Sequence, residues 1–182
     1  MTSMSQSKRK LIILDANVII HAHELGVWTH LVNQFDVHVV GVVVDDEARY
    51  FKSDTGVKTD IKIKDDLAIG KIKRLDPELA HTQKIFKEYK EIFIKGLDPG
   101  ERDAITLLNS GSFDKHLFCS GDKSAIKAVA IINKTFNVIS FEKLLKDSWQ
   151  NGIIKNLKHE FLESYTKQYI SSGTTERTMH KK

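Results

Sequence analysis

The sequence predicts an α/β fold, a three-layer α/β/α sandwich with a mainly parallel central sheet. Two observations lead there. Short apolar, β-branched runs alternate along the chain with longer amphipathic helical patterns, and such alternation builds parallel sheets covered by helices. The runs also end in acids at the point where the next helix begins, which is where open sheets of this class gather their ligands.

The chain has 182 residues, of which 41% are hydrophobic, enough for one domain of ordinary size with a buried core. Lysine and arginine number 28 against 24 acids, a net charge of +4 that permits nucleic-acid binding without demanding it. A single cysteine, Cys119, excludes an internal disulfide framework and fits a reducing compartment. The opening apolar run is too short for a membrane span and contains Asp15. These features predict a cytoplasmic protein without a membrane partner.

Residues 1–9 are rich in Ser and Lys and read as a flexible N-terminus; one domain is expected over 10–170. The first strand spans about 10–15, from Lys10 to Asp15. A helical pattern follows from Val18 to about Phe35, with a break at Gly26. Residues 37–44, Val-His-Val-Val-Gly-Val-Val-Val, predict a second strand, again ending in acids, Asp45-Asp46-Glu47. Ala48 to Phe51 has helical spacing. Residues 52–66 read as an excursion, and 61–75 as a small hairpin or a short helix.

A charged amphipathic helix fits 77–95, with Pro77 in its first turn. The turn Leu97-Asp98-Pro99-Gly100 leads into a helix starting at Glu101 and ending at Gly111. His116 to Ser120 is the next strand; Gly121-Asp122 closes it, and a helix runs from Lys123 to Asn133. Asn137 to Ser140 predicts a last short strand, followed by a helix from Phe141 to Asp147. Residues 153–170 predict a final amphipathic helix, read as core or as a dimer seam. Residues 171–182 read as a flexible tail.

A parallel sheet brings the carboxyl ends of its strands to one edge. Asp15, Asp45 to Glu47 and Asp122 would meet there, joined by Glu101 and Asp103 from the helix start. Carboxylates in such numbers repel and raise each other's pKa. A hard divalent cation, Mg²⁺ or Mn²⁺, compensates them and can activate water against a phosphodiester.

Each acid also has a plainer reading. Asp15 and Asp122 precede helices and can act as N-caps. Glu101 and Asp103 can complement a helix dipole. Asp45 and Asp46 read as solvated. His21 and His23 stand two apart, a spacing that does not face one way on a helix, and read as packing or surface residues. Cys119 reads as a small core residue. The lysines of 77–95 read as a solvated face that could contact phosphates.

Four segments resemble the PIN-domain nucleases, a family of ribonuclease toxins and RNA-processing enzymes. Leu11-Ile12-Ile13-Leu14-Asp15-Ala16-Asn17-Val18 is similar to that family's opening strand with its Asp, and with Asn, Ser or Thr two positions on. Val42 to Phe51 resembles the second segment, with Glu47 as its acid. Pro99-Gly100-Glu101-Arg102-Asp103-Ala104-Ile105 resembles the helix start bearing the third acid. Phe118-Cys119-Ser120-Gly121-Asp122 resembles the strand with a hydroxyl residue and the fourth acid. Val138-Ile139-Ser140 and the Leu144 to Ile154 stretch suit one branch. The likeness covers about 10–155, and residues 52–76 are longer than in the compact toxin members.

The resemblance implies a metal-dependent endoribonuclease acting on single-stranded RNA. Asp15, Glu47, Asp103 and Asp122 would be the catalytic, Mg²⁺- or Mn²⁺-binding acids, with Asn17, Ser120 and Glu101 in support. Asp46 competes with Glu47 for the second position. In one branch the third acid is the Glu of a Gly-Glu pair, here Glu101; in others it is the acid before Ala, here Asp103, which is the assignment taken. An antitoxin-like protein and a homodimer are the partners the resemblance implies. Two alternatives stand beside it. A haloacid-dehalogenase-like phosphatase would match the strand before Asp15 and Ser120-Gly121-Asp122, but it needs an Asp where Asn17 stands and another soon after Asp122. A catalytically silent PIN-like module binding RNA or protein would not need the full acid set.

Overall fold

β1 (Leu11–Leu14) lies inside a four-stranded parallel sheet, between β2 (Asp36–Val40) and β6 (His116–Cys119), with β5 (Ile72–Leu75) outside β2. The structure is a computed structural model that describes residues 9–53 and 55–182. Helices flank the sheet, giving the predicted α/β/α sandwich. Ile12, Ile13, Leu14, Val37, Val39 and Phe118 are all buried, as strands covered on both faces require. Among the described residues no helix is long and apolar enough to cross a membrane.

α1 (Ala16–Glu24) and α2 (Trp28–Gln34) follow β1, separated at Gly26 as expected, where the backbone turns left-handed (φ 68°). The second strand is shorter than the valine run predicts. It stops at Val40, and Val43–Glu47 forms one turn of π-helix, with the Ala48 amide donating to the Val43 carbonyl at 3.1 Å. Gly41 marks the change: a Cβ there would lie 2.1 Å from Asp76 Oδ1 and 2.3 Å from Arg74 Nη2. A larger residue there would have to displace the Arg74–Asp76 ion pair, which packs against this backbone. Val43 and Val44 are buried, so packing overrides their strand propensity.

Tyr50 and Phe51, expected in a helix, lie in β3 (Tyr50–Lys52), which pairs antiparallel with β4 (Lys58–Asp60). α3 (Ile63–Ala68) and the edge strand β5 occupy the stretch left open by the sequence. The predicted 77–95 helix is two: α4 (Leu79–Glu88) and α5 (Glu91–Lys95), parted where Tyr89 is extended. α6 (Pro99–Ser110) has Pro99 in its first turn and ends at Gly111 with φ 89°. α7 (Lys123–Ile131) follows β6. The last predicted strand reduces to a bridge between Val138 and Phe118, after which Ser140 caps α8 (Phe141–Asp147).

The C-terminus departs most from expectation. Residues 151–156 and 159–161 are 3₁₀ turns, and the last helix, α9 (Glu163–His180), extends through the region expected to be a flexible tail. Contacts order it. Gly173 sits so close to α7 that a Cβ would fall 2.4 Å from the Lys127 carbonyl. Glu176 pairs with Lys127 at 2.6 Å, and Arg177 donates to the Ala130 carbonyl at 3.2 Å. The flexibility expected for residues 1–9 falls, up to residue 8, outside the described residues.

Candidate functional site at the acidic edge

Asp15 ends β1 with its backbone still paired: its amide donates to the Cys119 carbonyl at 3.1 Å. The chain then turns into α1, and Asp15 Oδ1 accepts from the Ala16 amide at 2.8 Å. Oδ2 accepts from Ser120 Oγ at 2.6 Å and from Asn17 Nδ2 at 3.0 Å. Asn17 Oδ1 in turn accepts from the Gly121 amide at 3.0 Å, and Ser120 Oγ accepts from the Asp122 amide at 2.9 Å. These bonds lock the ends of β1 and β6 together.

Both expected caps form. Asp15 caps α1, and Asp122 caps α7 by accepting from the Ser124 and Ala125 amides at 2.6 and 3.3 Å. A cap contributes about 1 kcal/mol. Capping does not explain why Asp15 is only 6% exposed. Burial pushes its pKa up to about 6, against the Ser120 and Ala16 hydrogen bonds, and the charges of Glu47 and Asp122 push the same way.

The two candidates for the third acid part company. Glu101 is buried at the start of α6, where its Oε2 accepts from the Asp98 amide at 3.2 Å in a capping box. Burial first, then the charges of Asp122 and Asp15, push its pKa up to about 8. Asp103 is half-buried. Its pKa is also raised, by burial, with Arg102 opposing and Asp76 assisting. The charges of Asp15 and Asp122 do not contribute to its shift; instead Asp103 acts on Glu47. Two residues apart on a helix means about 200° of rotation, so the pair cannot face the same way. Glu101, placed in support by the sequence, is the acid that faces Asp15 and Asp122.

Glu47 reaches the edge from the π turn. Its Oε1 accepts from the Gly100 amide at 3.1 Å. A Cβ on Gly100 would lie 2.5 Å from Glu47 Oε2, so this approach requires glycine. Burial raises the Glu47 pKa, the Gly100 amide opposes it, and Asp98, Asp103 and Asp46 add to it. Its neighbours Asp45 and Asp46 are exposed and paired, with Arg74 and Lys64 and with Arg49 respectively.

Among the described residues, Asp15, Glu47, Glu101, Asp103 and Asp122 form no ion pair, while acids outside the edge such as Asp36, Asp45, Asp147 and Glu176 do. Nor do hydrogen bonds among the described residues engage Glu47 Oε2, Glu101 Oε1 or Asp122 Oδ2. No three His, Cys, Asp or Glu side chains among them stand close enough to hold a metal ion together. The edge is thus a set of neighbouring carboxylates with oxygen atoms to spare, among which Asp15 and Glu101 titrate at about 6 and about 8.

The remaining candidates pack. His21 stacks on Phe161 with centroids 4.6 Å apart, and His23 lies between Trp28 and Phe51. Cys119 is buried, and its thiol is held neutral by burial beside Asp15. Gly100, Gly121 and Phe161 lie near the edge in packing roles that the sequence did not assign them. A Cβ on Gly121 would lie 2.5 Å from the Phe161 ring. The two glycines each precede an acid, which was their signal in the sequence.

Compared with models of known protein families, with curated proteins and with solved structures, the chain matches none.

Proposed function

We propose that this protein is a Mg²⁺- or Mn²⁺-dependent ribonuclease that hydrolyses phosphodiester bonds of single-stranded RNA at the acidic edge. The observation that supports this reading most is the pair Asp15 and Glu101, without ion pairs and raised by burial and by the Asp122 charge, with Glu47 beside it. Buried carboxylates without a cation are costly, and a divalent ion is the usual remedy. The donor set fits in kind, since it offers only carboxylate oxygens. It is not drawn together to ligating distance, so side-chain rotation would have to accompany binding.

When bound, such an ion supplies positive charge against the phosphate and acidity for an attacking water. The chain's own residues do the rest. Ser120 and Asn17 fix the Asp15 carboxylate. Glu101, titrating at about 8, holds a proton at neutral pH, which it would give up if it were to hold an ion. Asp122 is anchored by the first amides of α7 and keeps Oδ2 free. The resemblance to the PIN family supports the choice of RNA, and it makes an antitoxin-like protein or a second copy the partners to look for.

A second reading, a catalytically silent RNA- or protein-binding module, draws on the same lack of converging ligands. The test separates them. Labelled single-stranded RNA is incubated with purified protein in Mn²⁺, in Mg²⁺ or in EDTA, and again with Asp15→Asn and Glu101→Gln. Metal-dependent cleavage lost in Asp15→Asn is the expected result. Cleavage that persists in EDTA overturns the proposal, and so does RNA retention without cleavage in either metal, which is the silent module's signature.

A further inference from the structure

Among the described residues, four helices end in the same way. The residue two past the helix turns left-handed, its amide donates to the carbonyl three residues back, and the next amide closes a longer loop. At α1 this residue is Gly26, at α3 Gly70 and at α7 Asn133, the residue types that tolerate a positive φ. At α8 it is Trp149, with φ 62°. The Trp149 amide donates to the Lys146 carbonyl at 3.1 Å, and the Gln150 amide to the Leu145 carbonyl at 2.8 Å. Tryptophan is a poor choice here, because its Cβ crowds the left-handed backbone.

Packing offers no compensation. The Trp149 side chain is 84% exposed. No aromatic ring or cation among the described residues stacks on it, whereas Trp28, the only other tryptophan, is buried and stacked on His23. The backbone beneath Trp149 is nevertheless held in place: the His30 ring bonds the Ser148 carbonyl at 2.6 Å. The result is a large flat ring, displayed on a fixed turn, at a backbone position where glycine would serve better.

Trp149 borders a cleft of about 430 Å³ whose other walls include Arg9, Lys10, Phe35, Lys146 and Asp147. That volume is within the usual range of small-ligand sites. Arg9 and Lys10 lead into β1, and Phe35 leads into β2, so the cleft opens at the amino-terminal end of the sheet, opposite the acids. Three cations line it with Asp147, which binds Lys10 at 2.8 Å and Lys143, while Lys146 pairs with Glu142 at 2.7 Å; Arg9 alone of the three has no ion pair among the described residues. An indole beside surplus positive charge suits an alternation of bases and phosphates.

We infer that this cleft is a binding site for single-stranded polynucleotide, with a base stacked on Trp149 and flanking phosphates held by Arg9, Lys10 and Lys146. The site stands apart from the acidic edge and does not rest on cleavage occurring there.

The test is a titration of the full chain in EDTA, with an end-labelled oligoribonucleotide and with the oligodeoxyribonucleotide of the same sequence. Anisotropy reads affinity, and tryptophan emission reads contact, with buried Trp28 as the unquenched background. Trp149→Gly is expected to lose tenfold to a hundredfold in affinity, the worth of one stacked base, while melting at or above the wild-type temperature. Trp149→Phe retains most of the affinity. The two oligonucleotides distinguish an RNA site from one indifferent to the sugar. Unchanged affinity in Trp149→Gly overturns the inference, as does a lowered melting temperature with unchanged binding, which would mean that the ring packs. Absence of quenching by either oligonucleotide also overturns it and leaves the cleft to a protein partner. RNA cleavage in Mn²⁺ by a wild-type chain that binds neither oligonucleotide in EDTA would refute this site alone and leave the cleavage proposal standing.

Discussion

Ser120 donates a 2.6 Å hydrogen bond to Asp15 across the ends of two neighbouring strands. The bond opposes the burial that raises the Asp15 pKa to about 6. Removing the hydroxyl leaves a buried carboxylate short of a donor and the Asp122 amide short of an acceptor. Ser120→Ala is therefore expected to cost about 1–3 kcal/mol and to move the Asp15 titration further upward. Urea unfolding measures the first effect and carboxyl NMR the second.

Glu101 makes stability depend on pH in an unusual direction. Its folded pKa of about 8 lies above the ordinary value of 4.5, so the folded state holds the proton more tightly. The stability this contributes is complete below about 4.5 and disappears as pH rises through 8. Glu101→Gln keeps the capping box and carries no charge. Without divalent ions it should match wild type near pH 5 and exceed it at pH 9 by a few kcal/mol. Denaturation midpoints at the two pH values check this; a variant weaker than wild type at pH 9 would contradict it.

The division of the acids into two groups can be seen in their titrations. Asp15→Asn removes a charge that raises Glu101, so the Glu101 pKa should fall from about 8. Asp103→Asn should leave Glu101 where it is and lower Glu47 instead. NMR titration of the two variants reads both shifts. An equal response of Glu101 to the two substitutions would remove the distinction drawn between Glu101 and Asp103.

α9 holds to α7 through Gly173, where a Cβ would meet the Lys127 carbonyl at 2.4 Å. Backbone on both sides leaves little room to relax. Gly173→Ala should detach the last two turns of α9 at a cost of about 1–3 kcal/mol. Hydrogen exchange over residues 173–180 would show it, with the sheet amides unchanged.

Much of this architecture was legible in the chain. β1 and β6 were visible because they are apolar, short and closed by acid-plus-helix signals. Gly26 and Gly111 stopped their helices as expected. Residues 42–44 misled because three valines favour strands in isolation, while the burial of Val43 and Val44 in the π turn depends on contacts with distant residues. β5 was hidden because an edge strand exposes Lys73 and Arg74 and shows no apolar alternation. α9 was hidden because its order comes from α7 rather than from its own polar sequence. At the site, type and spacing pointed to Asp15, Glu47, Asn17, Ser120 and Asp122, and the structure places them at the carboxyl edge of β1 and β6 or beside it. The choice between Glu101 and Asp103 needed the direction in which α6 points its first turn, which depends on how that helix packs.

The central claim is that the unpaired acids at the strand ends await a divalent cation. Its most direct test is the melting temperature at pH 8 as Mn²⁺ is added, for wild type and for Asp15→Asn. An ion that binds the folded state raises the melting temperature with concentration. Wild type should rise steadily, by several degrees once Mn²⁺ well exceeds its dissociation constant, while Asp15→Asn stays flat. A wild-type protein indifferent to Mn²⁺, or a variant that responds equally, would contradict the claim.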